Sequence, residues 1–167
     1  MSMSEVRIDK VTLNIGVGEG GQKLENAKIL LERLSGRKAV PTAARVRNPV
    51  FKIRKGEPIG AKVTLRRGAA LEFLKKSLDA VDSKLPARVF DNSGNFAFGI
   101  REYIDFPGAK YDPKIGILGF DVCVTLAKPG KRVEARRRAR ARIPRAHRVR
   151  KEEAMEFLRK NFNVTIE

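Results

Sequence analysis

Cationic side chains are the residues with the most evident chemistry in this chain, and they fall in two stretches. Residues 37–67 hold ten lysines or arginines (Arg37, Lys38, Arg45, Arg47, Lys52, Arg54, Lys55, Lys62, Arg66 and Arg67) against one acid, Glu57. Residues 131–151 hold eleven, namely Lys131, Arg132, Arg136, Arg137, Arg138, Arg140, Arg142, Arg145, Arg148, Arg150 and Lys151, against Glu134 alone. Together they carry more positive charge than the net +17 of the whole chain, so the remaining residues sum to slightly negative. A near-neutral scaffold with two cationic regions suits a polyanion, since each Lys or Arg placed on a phosphate releases condensed counterions. Contacts to bases, sugars and 2′-hydroxyls need other groups, and Asn14, Thr64 and Phe51 offer an amide, a hydroxyl and a ring. Phe51 fits two settings equally: stacked on RNA, or packed with Ile53 under a sheet.

Other chemistries lack their residues. There is one histidine, His147, and one cysteine, Cys123, neither beside a cluster of acids, so catalytic triads and His/Cys zinc sites are excluded. His147 lies among arginines and reads as a further RNA-facing or exposed group. Cys123 reads as a structural thiol, with no second cysteine or cation cluster to activate it. No G-x-x-x-x-G-K-[ST] loop occurs. Gly16, Gly18 and Gly21 do satisfy G-x-G-x-x-G between a strand and a helix. However, the strand before them alternates polar and apolar residues, whereas dinucleotide-binding sheets use continuous apolar strands, and no acid lies between Glu32 and Glu57 to grip a ribose. A glycine turn is the simpler reading, with a phosphorylated nicotinamide cofactor as the alternative. The chain thus reads as a binder without catalysis, metal or cofactor. A single cysteine, no spanning apolar run and no signal-peptide core at the N-terminus lead us to expect a cytosolic protein. The absence of a basic recognition helix favours folded RNA over duplex DNA.

The elements that must position these groups follow from periodicity. Val11, Leu13 and Ile15 alternate with Lys10, Thr12 and Asn14, a strand with one buried face. Leu24, Ala27, Leu31 and Leu34 mark a helix that Ser35-Gly36 stops. Pro41, Pro49 and Pro58 forbid a helix through the basic stretch. Residues 39–48 read as a freer, proline-bounded stretch of short β-like or irregular segments. Ala61, Val63 and Leu65 oppose Lys62, Thr64 and Arg66 in a second strand, and Phe51 and Ile53 alternate with Lys52 and Arg54 in the same way. Leu71, Leu74, Leu78 and Val81 make the stripe of a second helix, expected to cover the back of the sheet. Residues 89–95 form a tight turn before a strand through Phe96, Phe98 and Ile100, and a further strand runs from Leu118 to Leu126. From Lys131 the composition turns to Arg and Ala; buried unpaired guanidinium groups are too costly for such a run to pack on a core, so a solvated arm, disordered without a partner, is expected. The last helix opens with Glu152 and Glu153 and docks through Ala154, Phe157, Leu158 and Phe162. The expected division is a core over residues 1–130 and a basic arm with a C-terminal helix over 131–167.

Five segments, KVTLNIGVGEG, SGRKAV, FKIRKGEPIGAKVTLR, FDNSGNFAFGIREYIDFPGAKYD and LGFDVCVTL, resemble in order the large-subunit ribosomal protein L-five family, the universal 5S rRNA binders. The tail PGKRVEARRRARARIPRAHRVRKEEAMEFL is similar to the archaeal branch. The resemblance implies an α+β fold: an antiparallel sheet with helices packed on one face, a long basic loop, and a basic C-terminal arm ending in a short helix. It also implies a place in the central protuberance of the large ribosomal subunit, as a monomer within the ribosome and away from membranes. The implied partners are 5S rRNA, large-subunit (23S-type) rRNA, the P-site tRNA and a small-subunit head protein across the intersubunit bridge.

On that resemblance Asn14, Phe51 and Thr64 fall on 5S-contact positions, and Arg37 stands where a Gln is common. Lys38, Lys52, Arg54, Lys62 and Arg66 complete the expected 5S surface. Arg45, Arg47 and Lys55 are the expected tRNA approach. The expected rRNA-binding arm comprises Lys131, Arg132, Arg136, Arg137, Arg138, Arg140, Arg142, Arg145, His147, Arg148 and Arg150. A generic basic RNA chaperone driven by the arginines is the remaining alternative.

Overall fold

Alternation in one strand sets out the whole molecule. The structure is a computed structural model that describes residues 3–166. In it β1 (Arg7–Gly16) buries Val11, Leu13 and Ile15, and leaves Thr12 and Asn14 half-exposed on its other side. It leads through a glycine turn to α1 (Gln22–Ser35), then to β2 (Val40–Ala43), β3 (Pro58–Leu65) and α2 (Gly68–Asp79). After these come β4 (Lys84–Leu85), β5 (Phe96–Ile100) and β6 (Phe120–Ala127), and then α3 (Arg132–Ala135), α4 (Lys151–Phe162) and β7 (Thr165–Ile166).

Five strands form one antiparallel sheet in the order β2-β3-β1-β6-β5. Its register sets Val11 beside Leu65 and Val124, and Leu13 beside Val63 and Val122, so the apolar faces coincide across three strands. By the same period of two, Asn14 falls between Lys62 and Asp121, and Thr12 between Thr64 and Cys123. The apolar face is covered by Leu24, Ala27, Leu30 and Leu31 of α1 and by Ala70, Phe73, Leu74 and Leu78 of α2, while Ala154 and Leu158 of α4 join the same core. Each large side chain taken fully out of water there contributes about 1.5–3 kcal/mol. On the opposite face Lys62, Thr64, Ala97, Gly99 and Asp121 are solvent-exposed, so no helix covers them. This is the expected α+β architecture with helices on one side.

Gly36 and Gly60 are among the glycines that the geometry requires. Gly36 ends α1 with a left-handed φ of 63°, its N–H donating to the Glu32 carbonyl at 2.8 Å. Gly60 sits where three strands press together: a Cβ there would lie 2.6 Å from the Ile15 carbonyl oxygen and 2.9 Å from Thr42 Oγ1.

Several expectations are corrected. In α2 the inward stripe is Ala70, Phe73, Leu74, Ser77 and Leu78; Leu71 is exposed, and the helix ends at Asp79, before Val81. Phe73 wins the inward position because its ring stacks on Phe106, centroids 4.8 Å apart at 24°. Residues 51–54 belong to no strand of the sheet, despite their alternation. Only an isolated bridge joins Asn48 to Ile53, and Lys52 takes a left-handed φ of 54°. Phe51 is 71% exposed, which removes the reading that packs it under the sheet. The cationic run after Lys131 keeps its arginines in solvent as expected, but it is pinned to the body by two buried residues, Ile143 and Val149. Val149 closes so tightly on Gly94 that a Cβ there would meet Val149 Cγ1 at 2.5 Å. Finally, β7 pairs in parallel with β4, a contact that two-residue strands give no periodicity to reveal.

Candidate nucleic-acid interface

The basic groups occupy three separate places. The first is the long connection between β2 and β3, a stack of nested turns. Ala44 N–H donates to the Glu57 carbonyl (2.8 Å) and Gly56 N–H to the Ala44 carbonyl (2.9 Å), closing the base. Farther out, Asn48 and Ile53 exchange backbone hydrogen bonds of 2.9 and 3.0 Å, and Asn48 Oδ1 accepts from the Val50 and Phe51 N–H groups at 3.1 and 3.4 Å. Glu57 Oε2 accepts the Arg54 N–H at 2.9 Å, so the stretch's one acid serves the backbone. With the backbone satisfied internally, the tip projects side chains: Val46, Val50 and Phe51 are all strongly exposed, among Arg45, Arg47, Lys52, Arg54 and Lys55. Ring and cations together suit stacking on bases beside phosphates. Phe51, Lys52 and Arg54 thus join Arg45, Arg47 and Lys55 on the loop, apart from the sheet residues with which the expected 5S surface groups them.

The second place is the open sheet face. Arg37, Lys38, Val40, Lys62 and Thr64 line one shallow groove along the β2–β3 edge, with Asn14 in the next strand opposite Lys62. Arg66 stands apart, held by Asp9 of β1 at 3.1 Å, so its charge is partly neutralised. Cys123 lies half-buried on this face; burial, and secondarily Asp121, pushes its thiol up, away from the reactive thiolate. Asp121 is the residue that the charge pattern did not single out. The alternation of β6 does place it outward, in the same cross-strand row as Lys62 with Asn14 between them.

The third place is the segment after β6. Arg136, Arg137, Arg138, Arg140 and Arg142 are exposed, as are Arg132 and Arg145, while Lys131 is half-buried at the root. Arg136 Nε donates to the Ala139 carbonyl at 2.8 Å, and Arg148 lies 4.0 Å from Glu134. His147 departs from the RNA-facing reading: it is half-buried and its Nε2 lies 2.7 Å from the Pro129 carbonyl oxygen, which makes it a tether for the arm. Arg150 caps α4, its N–H donating to Glu153 Oε2 at 3.1 Å.

β1 holds these places apart. The loop is rooted where Gly16 pairs with Gly60, and the arm starts just past the pair of Arg7 with Ala127, at the far end of a ten-residue strand about 33 Å long. In the glycine turn after β1, Val17 and Gly18 both donate their N–H groups to the Ile59 carbonyl at 2.9 Å, so these two are not free for a phosphate. β1 also lies between antiparallel neighbours, outside any parallel βαβ unit.

Comparison with known proteins identifies the family. Residues 2–54 match the family model described as Ribosomal protein L5, and residues 58–157 match the model of the C-terminus of the same ribosomal family. The chain belongs to the ribosomal protein L5 family. The "Large ribosomal subunit protein uL5" of Sulfolobus acidocaldarius is 55% identical over 164 residues, 98% of this chain and 92% of that protein. Proteins of the same name from Methanosphaera stadtmanae and Pyrobaculum aerophilum are 52% and 50% identical, each over 99% of this chain and over 98% and 92% of their own lengths. The five segments and the archaeal-type tail point to the same family. A structural, ribosomal role in the large subunit follows from that membership.

Proposed function

We propose that this chain is a non-catalytic protein of the large ribosomal subunit, working in the cytoplasm, that holds 5S rRNA in the central protuberance. The open sheet face with Asn14, Arg37, Lys38, Lys62 and Thr64 takes the 5S rRNA. The arm from Lys131 to Arg150 lies on large-subunit rRNA. The loop tip, with Arg45, Arg47, Phe51, Lys52, Arg54 and Lys55, approaches the P-site tRNA, and a further surface meets a small-subunit head protein across the intersubunit bridge. One observation carries the reading: a sheet face is left open by the helices, and its outward side chains set the Asn14 amide beside the Lys62 ammonium and Thr64 hydroxyl of the cationic groove.

The test is 5S rRNA binding over a range of salt. Each phosphate contacted adds roughly 0.7 to 0.9 to the slope of log affinity against log salt. Lys62→Ala should lower that slope by about one such step. Replacing Arg136, Arg137, Arg138, Arg140 and Arg142 together by serine should leave specific 5S binding in place, whereas a chaperone driven by the arginines would lose nearly all its RNA affinity. Binding that ignores salt, or that vanishes with the arm, refutes the reading.

A further inference from the structure

A carboxylate on a face built for phosphates needs an explanation, and Asp121 has no partner to supply one. It is solvent-exposed at the start of β6, and its carboxylate makes no hydrogen bond or ion pair among the described residues. It lies in the same cross-strand row as Asn14 and Lys62, so RNA seated on the sheet face must pass over it. Opposite it in β5 stands Gly99, where a Cβ would lie 3.4 Å from Asp121 Oδ1, so the carboxylate extends across β5 into space that a side chain there would occupy. Asn14, Gly16, Gly99, Arg101, Gly119 and Asp121 line a single open recess at this end of the sheet. Gly16 and Gly99 put no side chain on its wall, which lets a planar group lie close to the backbone.

We infer that this recess takes an unstacked guanine of the bound RNA, with the Asp121 carboxylate accepting from the guanine N1–H and N2–H groups. The inference rests on the proposed RNA-binding reading and deepens it by assigning a specificity-determining residue. Guanine alone among the four bases presents two adjacent donors to a carboxylate on its Watson–Crick edge, and edge readout of splayed-out bases is how proteins select RNA sequence. Asn14 beside it offers both a donor and an acceptor to the same edge, and Arg101 at the rim is placed for the adjoining phosphate. The arrangement also removes a conflict: an exposed acid facing phosphates weakens RNA binding, whereas one facing base donors selects.

The experiment compares 5S rRNA binding by the wild type, Asp121→Asn and Gly99→Val, with kethoxal probing of the RNA, since kethoxal reacts with the N1 and N2 atoms of unpaired guanines. Asp121→Asn removes a negative charge but puts an NH2 donor where the second acceptor oxygen was, so it cannot pair with N1–H and N2–H side by side and should weaken binding about fivefold or more without altering the salt slope. It should also restore kethoxal reactivity at one guanine that the wild type protects. Gly99→Val keeps every charge, fits an ordinary strand conformation and fills the recess; the same guanine should become reactive. Equal or tighter binding by Asp121→Asn with an unchanged kethoxal pattern overturns the inference and leaves RNA binding standing. Failure of the wild type to bind 5S rRNA overturns both readings.

Discussion

Replacing Glu153 by alanine breaks an ion pair whose cation is nearly out of water. Lys128, just past β6, keeps 7% of its side chain exposed, and its Nζ lies 2.8 Å from Glu153 Oε1 in the first turn of α4, itself 37% exposed. Breaking a fully buried pair costs about 3–5 kcal/mol because the remaining charge is stranded, but water reaching Glu153 screens this one, so about 2 kcal/mol is expected. The same carboxylate accepts the Arg150 N–H, and losing that cap adds about 1 kcal/mol. Glu153→Ala should therefore cost about 3 kcal/mol, or roughly 6–12 °C in Tm for a domain of this size. Lys128→Met with Glu153→Ala removes the stranded ammonium and should recover about 2 kcal/mol, leaving mainly the lost cap. Urea unfolding of the wild type, both single variants and the double variant measures the cycle. If Glu153→Ala is no less stable than the double variant, Lys128 is not desolvated and the reasoning is refuted.

The same residue gives a pH dependence. Burial works to raise the Glu153 pKa, but the bonds from Lys128 and the Arg150 N–H outweigh it and hold the carboxyl below its ordinary value. Its folded pKa therefore lies below the unfolded one. The stabilisation is complete above the ordinary carboxylate range, near pH 4, and is lost as pH falls through the lower folded value. The gap in Tm between the wild type and Glu153→Ala should narrow over that interval.

Two further outcomes follow from packing. Phe51→Ala removes a side chain that touches little, so stability should stay within about 0.5 kcal/mol of wild type while affinity for tRNA or rRNA falls; a large drop in Tm would place the ring in the core after all. Gly60→Ala drives a methyl group into the Ile15 carbonyl and Thr42, and should cost at least about 1–3 kcal/mol by thermal unfolding, with protection from hydrogen exchange lost first at the β2–β3 and β3–β1 pairings.

Periodicity revealed the sheet because each long strand has one wet and one dry side. Val11, Leu13 and Ile15, and likewise Ala61, Val63 and Leu65, show their faces without any partner being known. The same signal misled at residues 51–54, where Phe51 and Ile53 alternate with cations although the local bonds of Asn48 fold the chain into a turn; side-chain-to-backbone bonds leave no mark in an apolar pattern. In α2 the choice of Phe73 over Leu71 depended on Phe106, more than thirty residues away. The anchoring of the arm turned on two apolar residues among arginines, Ile143 and Val149, which composition alone outvoted. The site was legible as charge, but its division was not: only the register showed that Asn14, Lys62 and Thr64 share a face while Phe51, Lys52 and Arg54 sit on a loop.

The central strand also fixes a length. Because side chains change face at each step, inserting one residue within β1 between the roots of loop and arm would turn Asn14 towards the helices and Leu13 or Ile15 towards solvent. Insertions of two residues, each pair adding about 7 Å, keep both faces correct, whereas a single extra residue must be absorbed as a bulge, like the register shift between Ile8 and Lys10. The distance between the cationic loop and the cationic arm is accordingly a ruler with coarse graduations, lengthened or shortened in pairs of residues unless a bulge takes up the odd one.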